Sequence, residues 1–174
     1  MISTGKEDCA IRRATPLDSS AINKLCVEAY HEFESSIGSA DWQQLRDRLS
    51  RASDLSSLGE LIVAEDATLL LGVVLYIPPG KSDGVSIPCQ WASIRMLAVS
   101  PLCRGRGIGR ELTQECINRA RRDGAEALGL TTGKMMKIAQ PMYERMGFKK
   151  DAELGVRFGV KHARYVLVLK QAVS

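Results

Sequence analysis

The hydrophobic and polar positions follow two alternating periods, which predict strands and helices in turn. A first strand is expected over 9–14. A helix follows, with Thr15 as its cap and Pro16 in its first turn, and its apolar stripe consists of Ile22, Leu25, Cys26, Ala29 and Phe33. A second helix is predicted over 39–55, with Ser39 as its cap and Trp42, Leu45 and Leu49 on one face.

The middle of the chain has the pattern of β-structure. Runs rich in β-branched residues over 60–65 and 68–77 are separated by a short turn and predict a hairpin. Proline and glycine over 78–84 predict a loop. Residues 91–99 are apolar at nearly every position, as expected for a strand that is covered on both faces.

The C-terminal half alternates again between helix and strand. A helix is predicted over about 107–123, with Gly124 as its stop, and a strand over 125–131. The residues predicted to face inward on this helix are Leu112, Thr113, Cys116, Ile117 and Ala120. A short helix over 138–146 ends at Gly147, and a last strand covers 165–169. The strand–helix–strand order over 91–131 predicts parallel pairing through a right-handed crossover.

Length and composition favour one soluble globular domain over 1–174, with a core at about 9–170. The chain has 174 residues, 45% hydrophobic and 25% charged. No apolar run approaches the roughly 18 residues that span a bilayer, and the N-terminus lacks the apolar stretch of a signal peptide. We therefore expect a cytoplasmic protein without a membrane partner. Its five scattered cysteines and two histidines predict free thiols and no metal site.

The net charge of +4 is mild, but the basic residues are clustered. Arginines group at Arg104, Arg106 and Arg110, and again over 119–122. Such a cluster suits an anionic ligand. Aromatic residues make up 5% of the chain and none lies among these arginines, which argues against a nucleic-acid partner.

The segment over 99–112 carries the strongest chemical signal. A strand enters a glycine-rich turn that opens an amphipathic helix, so unpaired N–H groups and the helix dipole converge there. Gly105, Gly107 and Gly109 let the backbone approach an anion, which predicts phosphate binding. The alternative is a plain turn with solvated arginines. The spacing over 105–109 excludes a dinucleotide fingerprint, and the spacing over 129–135 excludes a Walker A loop.

Two motifs in the same order give this segment a family resemblance. The pattern R-x-x-G-x-G over 104–109 follows a strand that ends Leu97-Ala98-Val99, and Y-x-x-x-G-F follows over 143–148. The combination resembles the GNAT superfamily of acetyl-CoA-dependent N-acyltransferases over nearly the whole chain. That resemblance implies a single α+β domain with a mixed central sheet flanked by helices. It also implies that the sheet is splayed between two parallel strands, here the strand ending at 97–99 and that over 125–131.

The resemblance also implies a site and a reaction. Acetyl-CoA would be the cosubstrate, without a metal, and its pantetheine amides would pair with the main chain of Leu97, Ala98 and Val99. The turn that would bind the pyrophosphate consists of Arg104, Gly105, Arg106, Gly107, Ile108, Gly109 and Arg110. An N–H near Val99 would stabilise the thioester oxygen as an oxyanion.

The acceptor implied by the resemblance is a primary amine, of a small molecule or a peptide N-terminus, that attacks the thioester directly. Tyr143 would protonate the departing thiolate, a role that a phenol with a pKa of about 10 can fill. The alternative for Tyr143 is packing near Met146 and Phe148. Homodimerisation is compatible with the same assignment.

Three positions depart from the family pattern. Met136 stands where many relatives carry Asn, and Ser93 stands where some carry a Glu that could serve as general base. Pro141 lies inside the predicted last helix. Because no general base is evident, a non-catalytic acetyl-CoA-binding domain is the alternative function.

Three further side chains have two interpretations each. Arg95 interrupts an apolar strand, so it either pairs with Glu65 or Asp66 or faces an acceptor pocket on the side of Ser93 and Leu97. His31, near the end of the first helix, and His162, expected in the loop before the last strand, are either solvated or part of the acceptor wall.

Overall fold

Seven strands form one mixed sheet in the computed structural model, which describes residues 9–67 and 69–170. The strands are β1 (Ala10–Arg13), β2 (Glu60–Glu65), β3 (Leu70–Ile77), β4 (Ala92–Val99), β5 (Ala127–Gly133), β6 (Lys149–Arg157) and β7 (Val160–Val168). Their order across the sheet is β1-β2-β3-β4-β5-β7-β6. Every neighbouring pair is antiparallel except β4 and β5, which are parallel. The predicted α+β class, hairpin and parallel pair are confirmed.

The helices of the described residues lie at the predicted places, with shifted ends. They are α1 (Ser19–Tyr30), α2 (Ser39–Leu49), α3 (Ile108–Arg122) and α4 (Ala139–Arg145). None of these helices is long and apolar enough to cross a membrane. The predicted cap at Ser39 is wrong, because Gly38 is the N-cap, and residues Ala52–Ser57 form a separate 3₁₀ turn.

Pro16 and Pro141 both lie in a first helical turn, where proline is tolerated. Thr15 precedes a 3₁₀ turn at Pro16–Asp18, where the carboxylate of Asp18 accepts the Thr15 N–H at 2.7 Å before α1 begins. Pro141 is the third residue of α4. Its missing N–H therefore belongs to the turn in which helical donors have no partner.

Helices cover both faces of the sheet and build two main cores. On one face, α3 and α4 pack against the sheet around Leu112, Cys116 and Leu130. On the other face, α1 packs around Ile22, Cys26 and Val73, and α2 contributes Leu49. The five side chains predicted to face inward on α3 are all buried, and Gly124 ends that helix with a φ of +71°.

One strand of the sheet is absent from the sequence prediction, and another begins earlier in the chain than predicted. Strand β6 was not predicted, and β7 begins at Val160 instead of 165. Together they form an antiparallel hairpin at one edge of the sheet. As a result His162 lies within β7, opposite Gly133, and not in a loop.

A bulge in β4 separates it from its parallel neighbour. Strand β4 pairs with β5 only over 92–94, and from Arg95 onward it keeps partners on β3 alone. Met96 has a φ of +55°, and the register on the β3 side shifts between Arg95 and Ala98. An extra residue at a bulge bends a strand and ends its pairing locally. The predicted splay between the two parallel strands is thus confirmed.

The bulge also exchanges the two faces of β4. Before it, Ala92 and Ile94 belong to the core under α3. After it, Leu97 and Val99 pack against that core, while Ala98 belongs to the core under α1. Arg95 and Leu97 therefore lie on opposite faces of the sheet.

Candidate functional site

The gap between β4 and β5 forms a cavity of about 60 Å³. Helices α1 and α4 close it from either side, and its wall is largely apolar. The lining residues are Tyr30, Ile94, Met96, Leu97, Leu130, Thr131, Thr132, Met136, Ala139 and Tyr143. Main-chain groups of β4 beyond Ile94 have no strand partner on this side. An extended ligand with amide groups can hydrogen-bond to such a free strand edge.

Tyr143 lies on α4 with its side chain buried at the cavity wall. Its ring packs edge-on against Phe148, with 5.7 Å between the ring centroids. The hydroxyl makes no hydrogen bond within the described chain. Every fully buried side-chain nitrogen or oxygen atom there has a hydrogen-bond partner, so the Tyr143 hydroxyl is not fully buried. The hydroxyl therefore borders the open cavity.

Burial keeps the phenol of Tyr143 protonated. Desolvation raises its pKa well above the ordinary value, and the nearby Tyr30 adds to the effect. Packing against Phe148 and lining the cavity occur together, so the two interpretations of Tyr143 are compatible. A protonated hydroxyl without a partner can act as a proton donor to a group in the cavity.

Tyr30 is a cavity residue that the sequence analysis missed. Its hydroxyl donates a hydrogen bond of 3.2 Å to the carbonyl of Leu97, directly after the bulge. Burial raises the pKa of Tyr30 as well, so this donor stays protonated. Its only sequence signal is its position one residue after Ala29, at the end of the apolar stripe. Tyr30 thereby fixes the peptide group that follows Leu97.

The glycine-rich turn joins the end of β4 to α3. Gly105 and Gly107 have φ values of +78° and +80°, and a Cβ at either position would meet no atom within 4 Å. The first backbone bond into α3 runs from the N–H of Glu111 to the carbonyl of Gly107, at 3.0 Å. The N–H groups over 107–110 therefore remain available to a ligand, as the first turn of a helix provides.

The arginines of the turn contribute less free charge than the sequence suggests. Arg104 donates a 2.8 Å hydrogen bond to the carbonyl of Ala29 and forms an ion pair with the carboxylate of Glu32, also at 2.8 Å. Its guanidinium is thus engaged with the end of α1. Arg110 lies exposed in the first turn of α3. The main chain, more than the side chain of Arg104, makes this turn suitable for an anion.

Arg95 pairs with a residue that was not predicted. It lies 3.5 Å from Asp83 in the loop before β4, whereas Glu65 pairs with Arg12 at 2.7 Å. The predicted pairing with Glu65 is therefore wrong. The alternative places Arg95 on the same side of the strand as Ser93 and Leu97. This is wrong for Leu97, because the bulge turns the Leu97 side chain to the other face of the sheet.

Neither histidine lines the cavity between β4 and β5. His31 is exposed, packs edge-on against Trp42 and lies 3.3 Å from Glu34. His162 holds its Nδ1 2.8 Å from the carbonyl of Val160. Within the described residues no cluster of His, Cys, Asp and Glu could hold a metal ion.

Comparison with known proteins gives one family match and many similar folds. The family described as "Acetyltransferase (GNAT) family" matches residues 23–148. The rat protein N-acetyltransferase family 8 member 2 is 32% identical over 98 residues, which are 56% of this chain. These residues are 42% of that protein, so the chain spans less than half the length of this curated relative.

Two solved structures show the similarity of the fold. The yncA protein of Salmonella typhimurium, solved with its cofactor acetyl-CoA, aligns with a TM-score of 0.70 at 21% identity, over 96% of this chain and 97% of its own. The PaiA N-acetyltransferase of Thermoplasma acidophilum, solved with coenzyme A, aligns with a TM-score of 0.72 at 17% identity, over 90% and 98%. Because the family match covers most of the chain and both motifs, the protein belongs to the GNAT family of acetyltransferases.

Proposed function

We propose that the protein transfers the acetyl group of acetyl-CoA to a primary amine by direct attack. The observation that carries this proposal is the opening between β4 and β5, which has a free strand edge, a protonated Tyr143 hydroxyl and the glycine-rich turn around it. Each of these features suits one part of acetyl-CoA. Acetyl-CoA supplies an acetyl group that is activated as a thioester.

The main chain provides the binding groups for this cosubstrate. N–H groups of the turn over 104–110 are suited to the pyrophosphate, since no side chain obstructs Gly105 or Gly107. The free edge of β4 over 97–99 is suited to the pantetheine amides. The yncA and PaiA structures, solved with acetyl-CoA and with coenzyme A, support this assignment.

Tyr143 has the protonation state that the leaving group requires. As the C–N bond forms and the C–S bond breaks, the sulfur gains negative charge and takes the phenolic proton. An N–H of β4 near Val99 holds the thioester oxygen while it carries negative charge. A phenol is already protonated at neutral pH, and burial, which raises the pKa of Tyr143, keeps this proton on the hydroxyl until the sulfur gains charge.

Among the described residues that line the cavity, none has a carboxylate that could take the amine proton. All residues of the lining are apolar, hydroxyl-bearing or thioether-bearing. Ser93 is buried beside Ser82, with 3.4 Å between their hydroxyl oxygens. The acceptor therefore arrives as the neutral amine, and its proton leaves to solvent after the C–N bond has formed. A proton from solvent then restores the Tyr143 hydroxyl. We expect the rate to rise with pH toward the pKa of the acceptor.

The test is a panel of amines in which release of the CoA thiol is followed. Tyr143→Phe should lower kcat by about 10²-fold, the lower end of general acid catalysis, and leave the Kd of acetyl-CoA unchanged. Tyr76→Phe is the matched control, because it removes a buried hydroxyl that bonds to Asp123 outside the cavity. Its kcat should stay at the wild-type value.

Two results would contradict this proposal in different ways. Wild-type kcat in Tyr143→Phe would exclude the tyrosine as the proton donor. Saturable acetyl-CoA binding without thiol release for any amine would favour a non-catalytic acetyl-CoA-binding domain.

A further inference from the structure

A second and larger cavity of about 250 Å³ lies beside the β6–β7 hairpin. The end of β5, the start of α4 and both strands of the hairpin form its wall. The lining residues are Thr132, Lys134, Gln140, Lys150, Glu153, Lys161, His162, Ala163 and Tyr165. We call it the lysine cavity. Its volume is below the roughly 300–1,000 Å³ of pockets for drug-sized ligands, so it suits a small molecule.

The charges around the lysine cavity are unbalanced. Three lysines face one carboxylate, Glu153, which forms an ion pair with Lys150. The pKa of Glu153 is lowered first by that hydrogen bond and also by the charges of Lys134 and Lys161. Within the described chain, Lys134 and Lys161 form no ion pair of their own. The wall therefore carries an excess of two positive charges.

The backbone places Lys134 and Lys161, the two cavity lysines without an ion pair in the described chain, next to each other. The N–H of Lys134 donates a hydrogen bond of 2.9 Å to the carbonyl of Lys161, at the end of the β5–β7 ladder. The side-chain amide of Gln140 donates a hydrogen bond of 3.2 Å to the carbonyl of Gly133, which ties α4 to the same corner. Ordered backbone on both sides reduces the entropy that is lost when a ligand binds.

The lysine cavity and the cavity between β4 and β5 have one lining residue in common. Thr132 lines both, and its hydroxyl lies 3.4 Å from the sulfur of Met136. Met136 lines only the cavity on the β4 side. The two spaces are thus neighbours with a shared wall.

We propose that the lysine cavity binds a small ligand with two or more carboxylate or phosphate groups, at the same time as acetyl-CoA. Ammonium groups are strong point charges for both kinds of oxyanion. The hydroxyl groups of Thr132 and Tyr165 and the amide of Gln140 add polar groups to the wall. The anionic groups belong either to the acceptor amine or to a separate anion.

The direct test measures binding of citrate and of inorganic phosphate by calorimetry at fixed ionic strength. The double variant Lys134→Gln/Lys161→Gln should weaken the Kd of citrate about tenfold, as expected for the loss of two solvent-exposed charge contacts. The control Lys137→Gln/Lys149→Gln removes the same charge from exposed lysines outside the cavity. It should change the Kd less than twofold. Equal weakening in both double variants, no citrate binding to the wild type, or a Kd for inorganic phosphate, which has one such group, as low as that for citrate would overturn the proposal.

A second titration tests whether the two sites are separate. Citrate should bind with the same Kd to the free protein and to protein saturated with acetyl-CoA. Competition would assign the lysines to the acetyl-CoA site and overturn the proposal. This result does not depend on turnover, so it stands apart from the test of the proposed function.

The source of the anionic groups follows from inhibition kinetics, an arm that rests on the proposed function. With the best amine of the panel, citrate should raise the acceptor KM at constant kcat if the acceptor's own acidic group occupies the cavity. A change in kcat at constant KM would assign the cavity to a separate anion.

Discussion

Replacing Gly107 and Gly109 by alanine should change the stability of the protein in opposite directions. Gly107 has a φ of +80°, a region in which an L-residue costs about 1–2 kcal/mol, although its Cβ would meet no neighbour. Gly109 lies in α3 without a positive φ, and its Cβ would lie 3.6–3.7 Å from Met142, Val99 and Leu97, at ordinary contact distance. A glycine-to-alanine change at such a site stabilises by about 0.4–1 kcal/mol.

These energies convert into measurable shifts of Tm. For a domain of this length 1 kcal/mol corresponds to about 2–4 °C. Gly107→Ala should lower the Tm of the free protein by about 2–8 °C, and Gly109→Ala should raise it by about 1–4 °C. Acetyl-CoA at 100 times its Kd stabilises the wild type by about 2.7 kcal/mol. A tenfold weaker Kd in Gly107→Ala would leave about half of this stabilisation.

The assay is thermal unfolding of both variants with and without acetyl-CoA at one fixed concentration. Gly155→Ala is the matched control for binding, since Gly155 also has a positive φ, of +59°, and lies in β6 outside the glycine-rich turn. We expect it to retain the full rise in Tm on addition of acetyl-CoA. If Gly107→Ala keeps the same ligand-induced rise as Gly155→Ala, or if Gly107→Ala and Gly109→Ala shift the Tm alike, the positive φ of Gly107 is not what shapes the anion site.

Three further changes test other contacts. Tyr30→Phe removes the hydrogen bond to the Leu97 carbonyl and should weaken the Kd of acetyl-CoA about threefold to tenfold in calorimetry. Tyr76→Phe should cost about 1 kcal/mol in urea unfolding, with kcat unchanged. The hydrogen bond from Arg12 holds the pKa of Asp18 well below its usual range, so Asp18 stabilises the fold above its unfolded pKa of about 3.9. This contribution is lost as the pH falls through the lower folded pKa, and Arg12→Met should therefore show a shallower loss of stability between pH 4 and pH 2.

Periodicity located most of the fold because most of its elements have one buried face. The stripe on α1 and the inward positions of α3 are examples, whereas β4 was located by its nearly continuous apolar run. Strand β6 has no such face. It lies at the edge of the sheet and is exposed at most positions, so its sequence lacks the alternation that identifies a strand.

The opening between β4 and β5 depends on a backbone conformation that the sequence pattern does not predict. Met96 adopts a positive φ, which is unusual for a long side chain, and the run over 92–99 otherwise looks like an uninterrupted strand. The motif over 104–109 predicted the turn because glycine itself supplies the required conformations. The contact of Tyr30 with Leu97 could not be predicted, because it joins residues that are 67 positions apart.

The proposed function depends most on the binding of acetyl-CoA along the free edge of β4 and at the glycine-rich turn. Its most direct test is a titration of the isotope-labelled protein with acetyl-CoA, in which amide chemical shifts are followed residue by residue. We expect saturable shifts that are largest over 97–99 and 104–110. Saturable shifts centred elsewhere, for example around Lys134 and Lys161, or no saturable shifts at all, would contradict it.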